Sequence, residues 1–228
     1  MATILNIETS TSVCSAALSR NGQVIALQES VHTNVHAEKL AVFIHILMEQ
    51  TKIPYSALDA IAVGTGPGSY TGLRIGTSTA KGLCYALDKP LLAIPTLKAM
   101  ACATAAVIKR EDIYYCAMID ARRLEVYTGL YNYKGKEVTP VEAKILDKHS
   151  FADILNEQEI AFSGDGMPKM KKLSSPDDVH RIWVDEIYAS AKNIALLSEE
   201  YFLRKEFANV AYYEPFYLKD FVAGKKIL

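Results

Sequence analysis

Three sets of residues have types and spacings that could do chemistry. Glu8-Thr9-Ser10-Thr11 is a carboxylate followed by three hydroxyls at the end of an apolar run. Such a set could hold a metal-bridged phosphate, although an ordinary polar turn between strands accounts for it as well. Gly64-Thr-Gly-Pro-Gly-Ser-Tyr-Thr-Gly72 is a glycine-rich loop between a strand pattern and a helix pattern, a position that suits an anion. It is not a P-loop, because no Gly-Lys-Ser/Thr follows. It is not a dinucleotide fingerprint either, because Ser69 stands where the third glycine belongs. A tight strand-to-helix connection explains the same glycines. His32 and His36 have the i, i+4 spacing of metal ligands on a helix. Thr33, Asn34 and Val35 between them supply no catalytic Glu, and no third ligand is apparent. No metal site is expected, and His36 reads as structural or interfacial. No Ser/His/Asp or Cys/His arrangement is legible.

Two charged clusters remain. Asp120, Arg122, Arg123 and Glu125 read as a solvated turn whose ion pairs contribute little. Lys169, Lys171 and Lys172 form the densest basic patch, too small to carry a nucleic acid. The whole chain points the same way. Its 228 residues hold 25 Lys plus Arg against 26 Asp plus Glu, a formal net charge of -1. That balance argues against a binder that relies on a basic surface. Half the residues are hydrophobic, which excludes disorder and allows a sizeable core. No apolar run reaches the ~20 residues of a membrane span. The N-terminus meets Glu8 at once, so it reads as a strand and not a signal peptide. Cys14, Cys84, Cys102 and Cys116 show no C-x-x-C spacing and read as buried, reduced thiols of a cytoplasmic protein.

The elements that must position these residues follow from periodicity and turn chemistry. Strands over Ile4–Glu8, Val13–Ser19 and Val24–Ser30, with Asn21-Gly22 as a tight hairpin turn, predict an antiparallel meander. Ala37, Leu40, Ala41, Ile44, Leu47 and Met48 form a helical stripe. Val42, Phe43 and Ile46 lie off it and suggest a second apolar face that meets something beyond the chain's own sheet. A strand over 59–64, a helix over 71–87, a strand over 90–94 and a helix over 96–107 complete a β-β-β-α-β-α-β-α half, with Thr96 as the expected cap of the last helix. Gly76, Thr77, Ser78, Thr79, Ala80 and Gly82 make the second helix small-sided. Each helical glycine costs ~1 kcal/mol against alanine, so close approach by another helix is the expected reason. A second α/β unit begins near Asp112, with strands at 113–119, 124–131, 138–145 and 159–163, a short helix capped by Ser150, a long helix over 190–207 and an extended aromatic tail. No internal repeat of fixed period is visible.

Taken together, Ile4–Thr11, Gly66-Pro-Gly-Ser-Tyr-Thr-Gly-Leu-Arg-Ile-Gly76, Asp120-Ala-Arg-Arg-Leu-Glu-Val-Tyr127, Gly164-Asp-Gly166 and Glu214-Pro-Phe-Tyr-Leu218 resemble the TsaB (YeaZ) family, in order and across nearly the whole chain. The resemblance implies an α/β fold of the actin-like ATPase (ASKHA) class in two lobes. The expected division is an N-terminal lobe over 1–110 with the interface helices and a reduced C-terminal lobe over 111–228. It implies a non-catalytic activator of tRNA N6-threonylcarbamoyladenosine synthesis that docks on a TsaD-like catalytic subunit. A TsaE-like ATPase completes the system, tRNA is contacted mainly through partners, and the chain pairs with itself when alone. The implied interface is His36, Leu40, Phe43, Ile44 and Leu47 of the first helix with Leu73, Arg74, Gly76, Thr77 and Ala80 of the second. A vestigial nucleotide site would comprise Glu8, Thr9, Ser10, Thr11, Gly66 and Gly68. No cofactor is expected in the isolated chain, and ATP with Mg²⁺ only in the assembled complex. Glu8 stands where the family commonly has Asp, and its extra methylene would shift a Mg²⁺-bridging carboxylate. The rival readings are a free-standing ATP-dependent small-molecule kinase of the same superfamily and, on His32 and His36 alone, a metallopeptidase.

Overall fold

The computed structural model describes residues 2–31, 35–175 and 178–219. Strands β1 (Thr3–Glu8), β2 (Cys14–Arg20) and β3 (Gln23–Ser30) form the predicted meander. The β2–β3 turn places Asn21 and Gly22 at φ of 54° and 74°, the conformation for which these residue types are favoured. Helix α1 (His36–Thr51), β4 (Ala60–Gly64), α2 (Tyr70–Leu87), β5 (Leu91–Ile94) and α3 (Thr96–Ile108) follow. The sheet order is β3-β2-β1-β4-β5, antiparallel through β1–β2–β3 and parallel through β1–β4–β5.

The second half uses the same plan again. Strands β6 (Tyr114–Asp120), β7 (Glu125–Tyr131), β8 (Glu137–Ile145), β9 (Ile160–Ser163) and β10 (Arg181–Val184) pair in the order β10-β9-β6-β7-β8, with the same parallel and antiparallel neighbours. Its helices are α4 (Ala152–Leu155), α5 (Met167–Leu173) and α6 (Ala191–Leu203). The repeat escapes a fixed-period reading because its helices differ in length: α4 has 4 residues against 16 in α1, and α5 has 7 against 18 in α2. The reduction of the second lobe lies in these helices, while its sheet keeps five strands.

The last helix of each half crosses over. Helix α3 packs on β6, β7 and β9, whereas α6 packs on all five strands of the first sheet, and the two helices touch each other. Ile194 and Leu197 of α6 sit among Ile4, Ala62, Leu92 and Ile94, and Leu97, Met100 and Ala101 of α3 sit against Tyr115, Ala117 and Ile119. Polar staples fix the position of α6. Ser198 Oγ donates to Asn6 Oδ1 at 2.7 Å in the middle of β1, and Ser15 Oγ accepts from Ala191 N–H at 2.9 Å. Tyr188 and Ser190 both donate to the Glu29 carboxylate, at 2.7 and 2.8 Å. With α6 on one face and α1 and α2 on the other, every residue of β1 is buried.

Two expected caps are corrected. Ser150 lies before α4 and exchanges hydrogen bonds with Asp147, leaving Phe151 at the helix start. Thr96 is the first residue of α3 and its side chain makes no cap bond, because the hydroxyl is used elsewhere. The long helix ends at Leu203, and Ser190 caps its start.

Candidate functional site

Glu8 ends β1 fully buried. Its Oε1 accepts from the backbone N–H groups of Thr9 and Ser10, both at 2.8 Å, and its Oε2 accepts from Thr96 Oγ1 at 2.9 Å. The Thr96 hydroxyl in turn accepts from Gly66 N–H at 3.1 Å. One carboxylate therefore joins the β1–β2 turn, the glycine loop and the start of α3. Gly64 makes room for it: a Cβ there would fall 2.0 Å from Glu8 Oε2. Burial raises the Glu8 carboxyl above its ordinary value, and these hydrogen bonds offset the rise only in part. Thr96 is the residue that sequence reasoning missed. Its signal, a Pro-Thr pair after a buried strand, looks the same as a helix cap.

Between the lobes lies a cleft of about 880 Å³. The first lobe contributes Ser10, Thr11, Gly68 and the opening turn of α2, and the second contributes Asp120, Arg122 and Asp165. Of the expected nucleotide set, Ser10, Thr11 and Gly68 line this cleft, whereas Glu8 and Thr9 face inward. Gly66 lines a separate, smaller cavity beside Pro95 and Tyr201. Asp120 is paired with Lys169 at 2.7 Å, and Glu125 with Lys219 at 2.5 Å, so the charged turn is tied to α5 and to the chain's own tail. Arg122 and Arg123 both have positive φ, 73° and 49°, and both are exposed, Arg122 on the lining of the cleft.

The helix pair requires the largest correction. Of the ten expected interface residues, His36, Leu40, Phe43, Ile44, Leu47, Leu73, Gly76, Thr77 and Ala80 are buried within the chain, and only Arg74 is exposed. Phe43, expected on a surplus apolar face, packs into the core beneath α1. Small residues on α2 serve this chain's own turn. A Cβ at Gly72 would lie 2.1 Å from Thr9 O, and one at Gly76 would lie 2.2 Å from Thr9 Oγ1. Thr9 Oγ1 also donates to Gly72 O at 2.8 Å. The faces that α1 and α2 turn outward are different ones. On α1 they carry Ala37, Ala41, His45 and Val42, the last 51% exposed; on α2, Thr71, Arg74, Ser78, Gly82 and Tyr85, the last 89% exposed.

His36 is buried at the start of α1 and lines the cleft, and His32 lies outside the described residues. Among the described residues no three His, Cys, Asp or Glu side chains converge as metal ligands. Cys14, Cys84 and Cys116 are buried and Cys102 half-buried, all as free thiols. Burial pushes Cys14 up to about 11 and Cys84 and Cys116 up to about 12, which keeps them protonated and inert. No described helix is long and apolar enough to cross a membrane.

The family model described as TsaD, tRNA N6-adenosine threonylcarbamoyltransferase, matches residues 28–226. A Bacillus subtilis protein named tRNA threonylcarbamoyladenosine biosynthesis protein TsaB is 39% identical over 132 residues, 58% of this chain and 56% of that relative. The chain thus spans little more than half the length of this relative. The Escherichia coli protein of the same name is 27% identical over 98% of this chain and 97% of its own. The solved structure of YeaZ from Pseudomonas aeruginosa superposes with a TM-score of 0.82 at 28% identity, covering 96% of this chain and all of that one. An inorganic polyphosphate/ATP-glucomannokinase from Arthrobacter sp. strain KM shares the fold alone, at 12% identity and a TM-score of 0.51. With its doubled β-β-β-α-β-α-β-α plan of the actin-like ATPase class, the chain belongs to the family of the matched model and, within it, to the TsaB (YeaZ) group.

Proposed function

We propose that this chain is a non-catalytic subunit of the bacterial machinery that makes N6-threonylcarbamoyladenosine in tRNA, working in the cytoplasm. It docks the outward faces of α1 and α2 on a TsaD-like catalytic subunit, and a TsaE-like ATPase joins the assembly. Alone, it uses the same faces to pair with a second copy. The observation that carries the docking surface is Gly82. It lies six residues beyond Gly76, about 240° round the helix axis, and among the described residues no atom outside its own helical turns comes within 4 Å of the Cβ it lacks. Inside this chain such a glycine costs ~1 kcal/mol and gains nothing. Against a closely packed neighbour it lets two helices approach, with Arg74, Ser78 and Tyr85 on the same exposed stripe. The formal charge of -1 leaves few cations to displace phosphate counterions, so tRNA is held mainly through the partners.

Reconstitution tests this reading. The chain is added to or withheld from a TsaD-like subunit, a TsaE-like ATPase, the threonylcarbamoyl-adenylate synthase and ANN-decoding tRNA, and the modified nucleoside is quantified by mass spectrometry. Product should appear only with the chain present. Equal product in both mixtures refutes the activator role. Ser78→Trp and Gly82→Trp, both on the exposed stripe, should abolish the complex on size exclusion with light scattering while leaving thermal unfolding near the native value. An unchanged complex would remove α2 from the interface.

The isolated chain is expected to bind no Mg-ATP. Both Glu8 oxygens are taken by donors of the chain itself, and the carboxylate faces away from the cleft. Calorimetry with Mg-ATP on the isolated chain checks this. Micromolar binding would instead favour the small-molecule kinase reading.

A further inference from the structure

The chain continues past α6 along a defined path. Ala208 N–H donates to Leu91 O at the edge of β5 at 2.8 Å, and Lys81 Nζ on α2 donates to the carbonyls of Ala211 and Tyr213, at 3.1 and 3.2 Å. The segment then turns toward the cleft. Phe216 N–H donates to Thr65 O at 2.9 Å, the Tyr217 ring packs on the Tyr70 ring with centroids 4.8 Å apart, and Lys219 Nζ reaches Glu125 at 2.5 Å. Tyr217, Leu218 and Lys219 all line the cleft. A segment anchored on the first lobe therefore ends on a carboxylate of the second, spanning the mouth by a route separate from the α3–α6 crossing.

This bridge is made of weak parts. Among the described residues it has a backbone hydrogen bond, a tilted aromatic pair and an ion pair with a half-exposed lysine, each individually worth little. One of its members is shared. The Arg74 guanidinium stands 4.2 Å from the centroid of the same Tyr70 ring, and Arg74 belongs to the exposed stripe of α2.

We infer that residues 216–219 are a latch that closes the interlobe cleft, and that a partner seated on α2 loosens it by drawing Arg74 away from Tyr70. The coupling rests on the docking reading above; the latch in the free chain does not. Tyr217→Ala and Lys219→Glu are made in the full chain, with exposed Val179→Ser as a distant control. Hydrogen exchange is followed by mass spectrometry in the free proteins. Amides of the two cleft turns, 10–12 and 121–124, should exchange about tenfold faster in both latch variants and at the native rate in the control. Native exchange in both latch variants overturns the latch. Affinity for the TsaD-like subunit is then compared. Tyr217→Ala should bind about three- to tenfold more tightly, because docking no longer has to open a closed state. Equal or weaker binding overturns the coupling. A native chain that does not bind refutes the docking reading and the coupling with it, while the exchange result still decides the latch.

Discussion

Gly72→Ala should lower the stability of this chain by about 3 kcal/mol, whereas Gly82→Ala, ten residues along the same helix, should raise it by about 1 kcal/mol. The sign differs because the surroundings differ. At Gly72 the new methyl meets the Thr9 carbonyl at 2.1 Å, and that carbonyl belongs to a turn held by Glu8 and by Thr9 Oγ1. A flexible side chain could swing aside, but a pinned backbone oxygen moves only with its turn, which puts the cost at the upper end for overpacking. At Gly82 the methyl enters open space on a regular helix, so the gain is that of helix propensity alone. Thermal unfolding of the two variants beside the native chain reads both. For a chain of this size the midpoints should move by roughly 6–12 °C down and 2–4 °C up. A Gly72→Ala midpoint at or above the native one would show that the turn yields. The stabilised Gly82→Ala variant should nonetheless dock less well, since the methyl occupies space kept for a neighbour.

Glu8→Ala should cost about 4 kcal/mol, because it leaves two backbone N–H groups and the Thr96 hydroxyl without their acceptor in a site closed to water. Glu8→Gln keeps the shape and isolates the charge. Burial raises the folded carboxyl, while in the unfolded chain it titrates near 4.5. Above that value the folded state holds more proton than the unfolded one, so stability falls as pH rises until the raised folded value is passed. Glu8's contribution is thus fullest below about pH 4.5 and is lost as pH rises through the raised folded value. Glu8→Gln removes this titration. In urea unfolding, the native chain's stability relative to Glu8→Gln should decline as pH rises above about 4.5. A relative stability that grows with pH would mean that the hydrogen bonds outweigh burial and that the carboxyl is lowered on folding.

These two results concern the part of the molecule that one-dimensional patterns describe least. The sequence by itself determined the kinds of element and their order in the first half and most of the second, where α5 and β10 carried no pattern strong enough to mark them. Apolar and small-residue runs between polar turns marked the opening strands, Asn21-Gly22 marked the hairpin, the i, i+3, i+4 stripe marked α1, and the ordered motifs from Ile4 to Leu218 marked the family. These signals are local, because strand pleat, turn φ and helix repeat are set within a few residues. The tertiary structure alone decided what each face meets. Periodicity puts Gly72 and Gly76 on one face of α2 but does not say that Thr9 covers it, or that Gly82 is left bare. It puts Phe43 off the main stripe of α1 but does not show that the core reaches round to cover it. Thr96 binds Glu8 across 88 residues, and Ser198 binds Asn6 across 192. The crossing of α3 and α6 onto opposite sheets is likewise a choice among equally apolar faces. An apolar or small face specifies only that something must pack on it; shape and hydrogen-bond complementarity select the partner, and both exist only once the sheets are assembled.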